Sequence, residues 1–363
     1  MDEWLRRIIN QADGFKDSMI LLTASELDLF SVLGADRLSP EDIAGRLNTD
    51  PRATWLWLNA LVALGVLEKK GRRYANTVPA RKFLDHAGLE YRGALLRHIA
   101  RYWRQWAGLT EVLKTGEALP RSDDGGTAAD FAWAMHHGSL ERAPEVAALL
   151  WPEPAASPRA EGPQQTALDL GGGPGTYAVA MARRNPRLRV TVFDRPAILE
   201  VTRQVVEGED LAGRIGLKPG DFCEDDLGAG YDLILASSVI HSYGEADVGA
   251  IIRKCARALA PGGRLAVHDF LLDETLTQPA QAALFGVHML VVGAAGRSYS
   301  VGEVSEWMRE AGLDELQHLP IGDGSSSLLI GHRKRGGRAK GNQAHRAQGV
   351  KSPEEPPGRS SRR

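Results

Sequence analysis

The run Gly171-Gly172-Gly173-Pro174-Gly175 follows the apolar stretch Ala167-Leu168-Asp169-Leu170. Glycines at a turn from strand into helix let a ligand approach the main chain at the strand's carboxyl end. A dinucleotide loop, GxGxxG, would need glycine at position 176, where Thr176 stands, and no Gly-Lys-Ser/Thr follows for a nucleoside triphosphate. Val192-Phe193-Asp194 ends the next apolar run about 20 residues later, where a carboxylate can accept both hydroxyls of a ribose. Gly220-Asp221-Phe222 stands where a third strand should end. Asp221 can accept from an adenine amine there, and Phe222 can pack on the ring. Each acid alone reads as a solvated loop residue. Together, at the ends of successive strands, they point to a nucleoside held without a pyrophosphate.

Such residues need a parallel sheet to line them up. Leu168, Val190–Phe193, Leu233–Ala236 and Leu265–Val267 are short apolar runs, and segments 176–184, 196–207, 245–259 and 301–311 have helical spacing. The alternation predicts an α/β, Rossmann-like domain with helices on both faces of the sheet. Leu316–Ile321, Gly322-Asp323-Gly324 and Ser326–Gly331 predict a terminal β-hairpin.

The first third reads as helices. Ser39-Pro40-Glu41-Asp42 supplies an N-cap, a proline at the first helical position and early acids for a short helix through Leu47. Asp50-Pro51 repeats the signal for a helix through Leu64, and residues 66–75 read as a small hairpin. This is a winged-helix order, which raises DNA binding. The third helix speaks against it. It carries Trp55, Trp57, Leu58, Leu61 and Leu64, with Arg52 its only base, whereas a reading helix needs polar and cationic side chains. A packing or dimerising role fits better. Residues 1–88 form this domain, and 89–150 continue as helices with aromatic Tyr102, Trp103 and Trp106, interrupted by a polar turn at 122–126. A Pro-rich linker, 151–165, leads into the 166–332 domain and a basic tail at 333–363 that reads as disordered.

The formal net charge of −2 hides two regions. Residues 333–363 carry ten lysines and arginines against two glutamates, a balance of +8, leaving −10 on the body. An acidic body does not suit nucleic acid. It does suit a cationic cofactor, and S-adenosylmethionine, a nucleoside with a sulfonium and an amino group for Asp169, meets both conditions. Two cysteines, Cys223 and Cys255, make neither a disulfide framework nor a CxxC metal site and suit a reducing cytoplasm. The start lacks a basic region before an apolar one, so no signal peptide is expected. The longest apolar stretch, residues 53–67, contains Asn59 and falls short of the ~20 residues of a membrane span.

LDLGGGPG, VFD, GDF, SSVIHSYGEADV and APGGRLAVHDF, in this order, resemble the class I S-adenosylmethionine-dependent methyltransferases. The chain is similar to their small-molecule O-methyltransferase family, which includes caffeate, acetylserotonin, hydroxyneurosporene and polyketide enzymes. The resemblance covers about residues 1–332. It implies an N-terminal winged-helix dimerisation domain, a homodimer, and a sheet of six parallel strands and one antiparallel. It implies a histidine base after the fourth strand, which falls on His241, and an orienting acid ending the fifth, which falls on Asp269. Cofactor contacts fall on Asp169, Gly171, Gly172, Gly173, Gly175, Asp194, Asp221, Phe222 and Ser237. The flat acceptor would meet Trp103, Trp106, Phe131, Met135, Phe285 and Met289. Two features depart from the family. His241-Ser242-Tyr243-Gly244-Glu245 replaces His-Asp-Trp-x-Asp, and the second orienting acid, which would fall near Ser298, is missing. His268 should point to the sheet face opposite Asp269. His136, His137 and His288 lack convincing metal partners, and Ser237-Ser238 stand where metal-dependent relatives carry acids, so no metal is expected. The expected reaction is transfer of a methyl group to a hydroxyl of a small aromatic or polyketide-like metabolite. Methylation of carbon, nitrogen or sulfur, a non-methylating use of the same fold, and a winged-helix ligand sensor are the alternatives.

Overall fold

The structure is a computed structural model that describes residues 2–119, 127–152, 163–293 and 295–335. The turn expected at 122–126, most of the Pro-rich stretch and the tail from 336 lie outside the described residues. The first elements are helices α1 (Glu3–Asp13), α2 (Phe15–Glu26), α3 (Leu29–Leu33), α4 (Pro40–Leu47) and α5 (Pro51–Ala63). Caps start the last two. Ser39 Oγ accepts the Asp42 amide at 3.1 Å while Asp42 accepts the Ser39 amide at 3.2 Å, and Asp50 accepts from Ala53 at 2.8 Å. Side chains thus satisfy main-chain donors that have no partner inside the helix.

Strands β1 (Leu67–Lys70) and β2 (Arg73–Asn76) pair as an antiparallel hairpin. Leu58 and Leu61 of α5 are fully buried with Phe30, Leu33 and Tyr74. Trp57 packs on the same core and donates to the Ile20 carbonyl at 3.1 Å. Asn59, the polar residue in the longest apolar stretch, is satisfied by the Tyr74 hydroxyl at 2.8 Å and the Lys69 ammonium at 2.7 Å. Packing therefore accounts for Trp57, Leu58 and Leu61, while Trp55 and Leu56 of the same helix remain exposed.

Helices α6 (Val78–Phe83), α7 (Gly93–Ala107), α8 (Leu109–Thr115), α9 (Ala128–Ser139) and α10 (Arg142–Leu150) lead to the sheet. There β3 (Gln165–Leu170), α11 (Thr176–Arg184), β4 (Leu188–Asp194), α12 (Pro196–Gly208), β5 (Ile215–Pro219) and β6 (Tyr231–Ser237) alternate. A 3-10 turn (Ile240–Ser242) precedes α13 (Glu245–Ala258) and β7 (Leu259–Asp269). Helices α14 (Ala280–Val292) and α15 (Val301–Glu310) precede β8 (Leu313–Ile321) and β9 (Ser326–Arg333).

The seven strands run in the order β5-β4-β3-β6-β7-β9-β8. Neighbours from β5 to β7 pair parallel, and β9 pairs antiparallel with both β7 and β8. Six strands therefore share one direction and β9 opposes them. Strand alternation divides the core. Ala167, Val190, Val192 and Leu235 pack with α9–α12 on one face, while Leu168, Leu170, Ile234 and Val267 pack with α13 and α15 on the other. No helix among the described residues is long and apolar enough to cross a membrane.

Helix α14 is the element that the residue spacing did not reveal. Its run Ala282-Ala283-Leu284-Phe285-Gly286-Val287 shows no polar stripe from which to read a helical period. Most of it is only half-buried, because it rests against α7, α8 and the 3-10 turn at the mouth of the sheet.

Candidate active site

The chain runs outward from β3 through β4 to β5 on one side and through β6 to β7 on the other. Between β3 and β6 the strand order reverses, leaving a crevice beyond the carboxyl ends. The glycine loop opens there. Gly171 has φ +60°, and a Cβ on it would lie 2.9 Å from Val239 Cγ2 and 3.2 Å from Phe222 Cε1. A side chain would be strained and would also collide. At Gly172 a Cβ would lie 2.6 Å from Asp169 Cγ, which places the Asp169 carboxylate directly beneath the loop. The Gly173 amide donates to Asp194 Oδ2 at 2.8 Å, and Thr202 Oγ1 donates to the Gly173 carbonyl at 2.6 Å. Gly175 caps the start of α11 in the left-handed region.

Asp169 is fully buried, and neither of its oxygens has a hydrogen-bond partner. Burial, and then the charge of Asp194, push its carboxyl up to about 7, while the Ala178 amide pulls the other way without a formed hydrogen bond. A buried, unpartnered carboxylate is costly unless a cation or donor joins it. Asp194 Oδ1 also accepts the Arg195 amide at 2.7 Å. Burial raises this carboxyl, opposed by the two amides and the Arg195 charge. It ends β4 and stands beside the loop.

Asp221 is exposed and accepts the Cys223 amide at 2.9 Å, within a turn that Asp225 closes by accepting the Asp221 amide at 2.8 Å. Phe222 is brought against Gly171, edge-on to Tyr243 at 5.7 Å. Ser237 is engaged elsewhere. Its hydroxyl meets His268 Nδ1 at 2.8 Å, and His268 Nε2 meets Ser326 at 3.1 Å. This buried chain lies on the face expected for His268, whose ring burial holds down to about 4.

At the end of β7 the Asp269 carboxylate meets His241 Nδ1 at 2.7 Å. Asp269 is buried, and His241 keeps 12% of its side chain exposed. Burial alone would raise the Asp269 carboxyl. The charge and hydrogen bond of His241, with the Phe270 amide at 2.8 Å, hold it below the usual carboxylate range instead. Carboxylate oxygens only accept, so Nδ1 carries a proton and Nε2 is left with its lone pair in the neutral ring.

A chain of rings leads away from His241. Phe285 stands edge-on to it at 4.8 Å and stacks on Phe270 at 4.1 Å. Beyond lie His288, Tyr102 and Trp106, and further along α7 the ring of His98 meets Phe131. Met289 is buried on α14, and Met135 is half-buried one turn after Phe131 on α9. Trp103 is not in this ring chain. It stacks on Phe15 of α2 at 6.2 Å, because α7 packs against α2 as well as α14. Among the described residues, no group of three or more His, Cys, Asp or Glu could hold a metal ion.

Residues 163–314 match the O-methyltransferase domain, and residues 9–86 match the O-methyltransferase dimerisation domain. A 3-hydroxy-5-methyl-1-naphthoate 3-O-methyltransferase from Streptomyces sahachiroi is 30% identical over 88% of this chain and 93% of its own. The chain belongs to the O-methyltransferase family. The tetracenomycin polyketide synthesis 8-O-methyl transferase TcmO of Streptomyces glaucescens is also 30% identical, over 90% of this chain and 96% of its own. The solved structure of PigF with S-adenosylhomocysteine superposes with a TM-score of 0.78 at 25% identity, over 92% of this chain and all of that one.

This O-methyltransferase therefore depends on S-adenosylmethionine, and the crevice fits that cofactor. It offers an unpaired buried carboxylate for a cationic group, a loop that a Cβ would fill, and an aromatic ring against the loop. The place of the second orienting acid has another use here. Ser298 is buried, and its hydroxyl donates to the Ala282 carbonyl at 2.7 Å, tying α14 to the segment before α15. Two neighbours of the site carry no signal in the sequence, and a third, His288, reads there only as a histidine without metal partners. Thr202 holds the glycine loop from α12, Phe270 backs Phe285, and His288 joins the ring chain. Among these, only the spacing of Phe285 and His288, three apart on one helix, was a usable signal.

Proposed function

We propose that this methyltransferase acts on a phenolic hydroxyl of a flat, polyketide-like aromatic metabolite, with His241 as general base. The observation that carries this reading is the 2.7 Å bond from His241 Nδ1 to buried Asp269, on a ring that faces Phe285. Two relatives support the acceptor class, since their names specify methylation of a hydroxynaphthoate and in tetracenomycin polyketide synthesis. S-adenosylmethionine supplies a methyl carbon bonded to a cationic sulfur, open to in-line attack by oxygen. A phenol has a pKa near ~10, so removing its proton strengthens the nucleophile at neutral pH. His241 Nε2 takes the phenol proton as the oxygen–methyl bond forms and the carbon–sulfur bond breaks, its electron pair staying on sulfur. Asp269 holds the ring in the tautomer that can do this. The ring chain of Phe285, His288, Tyr102 and Trp106 aligns the acceptor plane and keeps water from the reacting oxygen.

Helix α1 buries none of its residues, and Trp4, Leu5, Ile8 and Ile9 are exposed on it. With the match to the dimerisation domain, this supports pairing of two chains. The test is labelled methyl transfer from S-adenosylmethionine to 2-naphthol by the full chain, running at twice the monomer mass in light scattering. Failure to form the labelled methyl ether, with the cofactor bound, would refute the reading.

Asp169 is the residue assigned to the cofactor's cationic end. Its carboxyl is raised from 3.8 to about 7 in the folded chain. The folded state therefore favours the protonated form. The stabilisation this gives is complete below about pH 4 and is lost as the pH rises through about 7. A bound cation prefers the carboxylate, so affinity for S-adenosylmethionine should rise several-fold between about pH 5.5 and 7. Asp169→Asn should bind more weakly and with a flat profile. Calorimetry across this range checks both, and a parallel slope in the asparagine variant would remove Asp169 from the role.

A further inference from the structure

The two half-buried imidazoles beside Phe285 have opposite partners. His241 gives its Nδ1 proton to a carboxylate. His288 receives a proton at Nδ1, where Trp106 Nε1 approaches at 3.2 Å. An indole N–H can only donate, so Nδ1 of His288 must be the acceptor and the neutral ring must carry its hydrogen on Nε2. No residue among those described takes that hydrogen. The ring is fixed on three sides: Trp106 stacks at 6.2 Å, Tyr102 stands edge-on at 4.7 Å and Phe285 lies at 5.6 Å. Burial, and then the neighbouring His241, hold it below the usual imidazole range, in keeping with an uncharged donor.

We propose that His288 is a specificity-determining residue of the acceptor pocket, a pre-set N–H donor that selects phenols carrying a carbonyl oxygen on the same ring system. This rests on the reading of the pocket as a phenol site. Both imidazoles border the Phe285 ring, at 4.8 and 5.6 Å, so one acceptor lying on that ring can reach both. Its hydroxyl meets the lone pair of His241 Nε2, and its carbonyl meets the N–H of His288. A neutral donor suits a neutral carbonyl, and a site built around a donor discriminates against an analogue that leaves the donor unpaired. Trp106 acts through His288 as a positioning residue, since the indole sets the tautomer.

The test compares 2-naphthol with 4-acetyl-2-naphthol on wild type, His288→Phe and His288→Gln. Dissociation constants are read by fluorescence quenching on enzyme loaded with S-adenosylhomocysteine, and kcat/KM by methyl ether formation. Wild type should prefer the acetyl compound in both. His288→Phe should cut that preference about tenfold, and His288→Gln, which keeps an N–H donor, should restore most of it. An equal loss on both phenols would show a packing role only and overturn the proposal, as would a wild type with no preference in binding. The binding arm does not need turnover. A wild type that binds both phenols but methylates neither refutes the phenol reading, while the binding ratio still decides the role of His288.

Discussion

Replacing His241 by alanine is expected to lower kcat by about 10²–10⁴-fold, the usual contribution of a positioned base. The affinity for S-adenosylmethionine should hardly move. The side chain leans on Asp269 and Phe285, not on the glycine loop, Asp194 or Phe222. The substitution removes a ring that is only 12% exposed, so it leaves a cavity beside Phe285. A second effect comes from the partner left behind. Asp269 is buried, and its remaining hydrogen bonds are to the Phe270 amide at 2.8 Å and a longer one to the His241 amide at 3.4 Å. A buried charge that has lost its partner destabilises, so a fall in Tm should accompany the fall in rate. Stopped-flow measurement of a single turnover separates the rate from any change in binding.

Asp269→Asn is expected to lower kcat about a hundredfold or more, by a different route. The buried charge is gone, so the Tm should change little. The asparagine amide, however, can donate to Nδ1 of His241. That would move the imidazole proton to Nε2, where the lone pair is needed, and turn the base into a donor. The absence of a second orienting acid makes this more severe, because Ser298 is occupied with the Ala282 carbonyl and cannot hold the ring. A loss of less than about threefold in kcat would contradict the role of Asp269.

Local chemistry made much of this legible. The caps at Ser39 and Asp50 act within three residues, so their sequence spacing is already their geometry. The glycine loop is legible because φ +60° at Gly171 and the close approach at Gly172 exclude other residues. Strand period separated His268 from Asp269 correctly, one to each face. Longer-range choices were hidden. Ser237 reads as a crevice residue, yet its hydroxyl is engaged by His268, a partner 31 residues away. Trp103 and Trp106 look alike on α7, and only packing sends one to Phe15 and the other to His288. The meaning of His288 depends on an indole 182 residues earlier, which no local pattern contains. Helix α14 shows no period because it is apolar nearly all round, and that character belongs to the pocket it borders.

The central claim is that His241 removes the acceptor's proton. It is tested most directly by methyl transfer to a series of ring-substituted naphthols of increasing acidity, by wild type and by His241→Ala. The wild-type rate should vary little along the series. The variant should be crippled on ordinary naphthols and recover steeply as the acceptor becomes acidic enough to ionise without help. A variant that equals wild type on 2-naphthol, or one that stays equally impaired on the most acidic member, would contradict it.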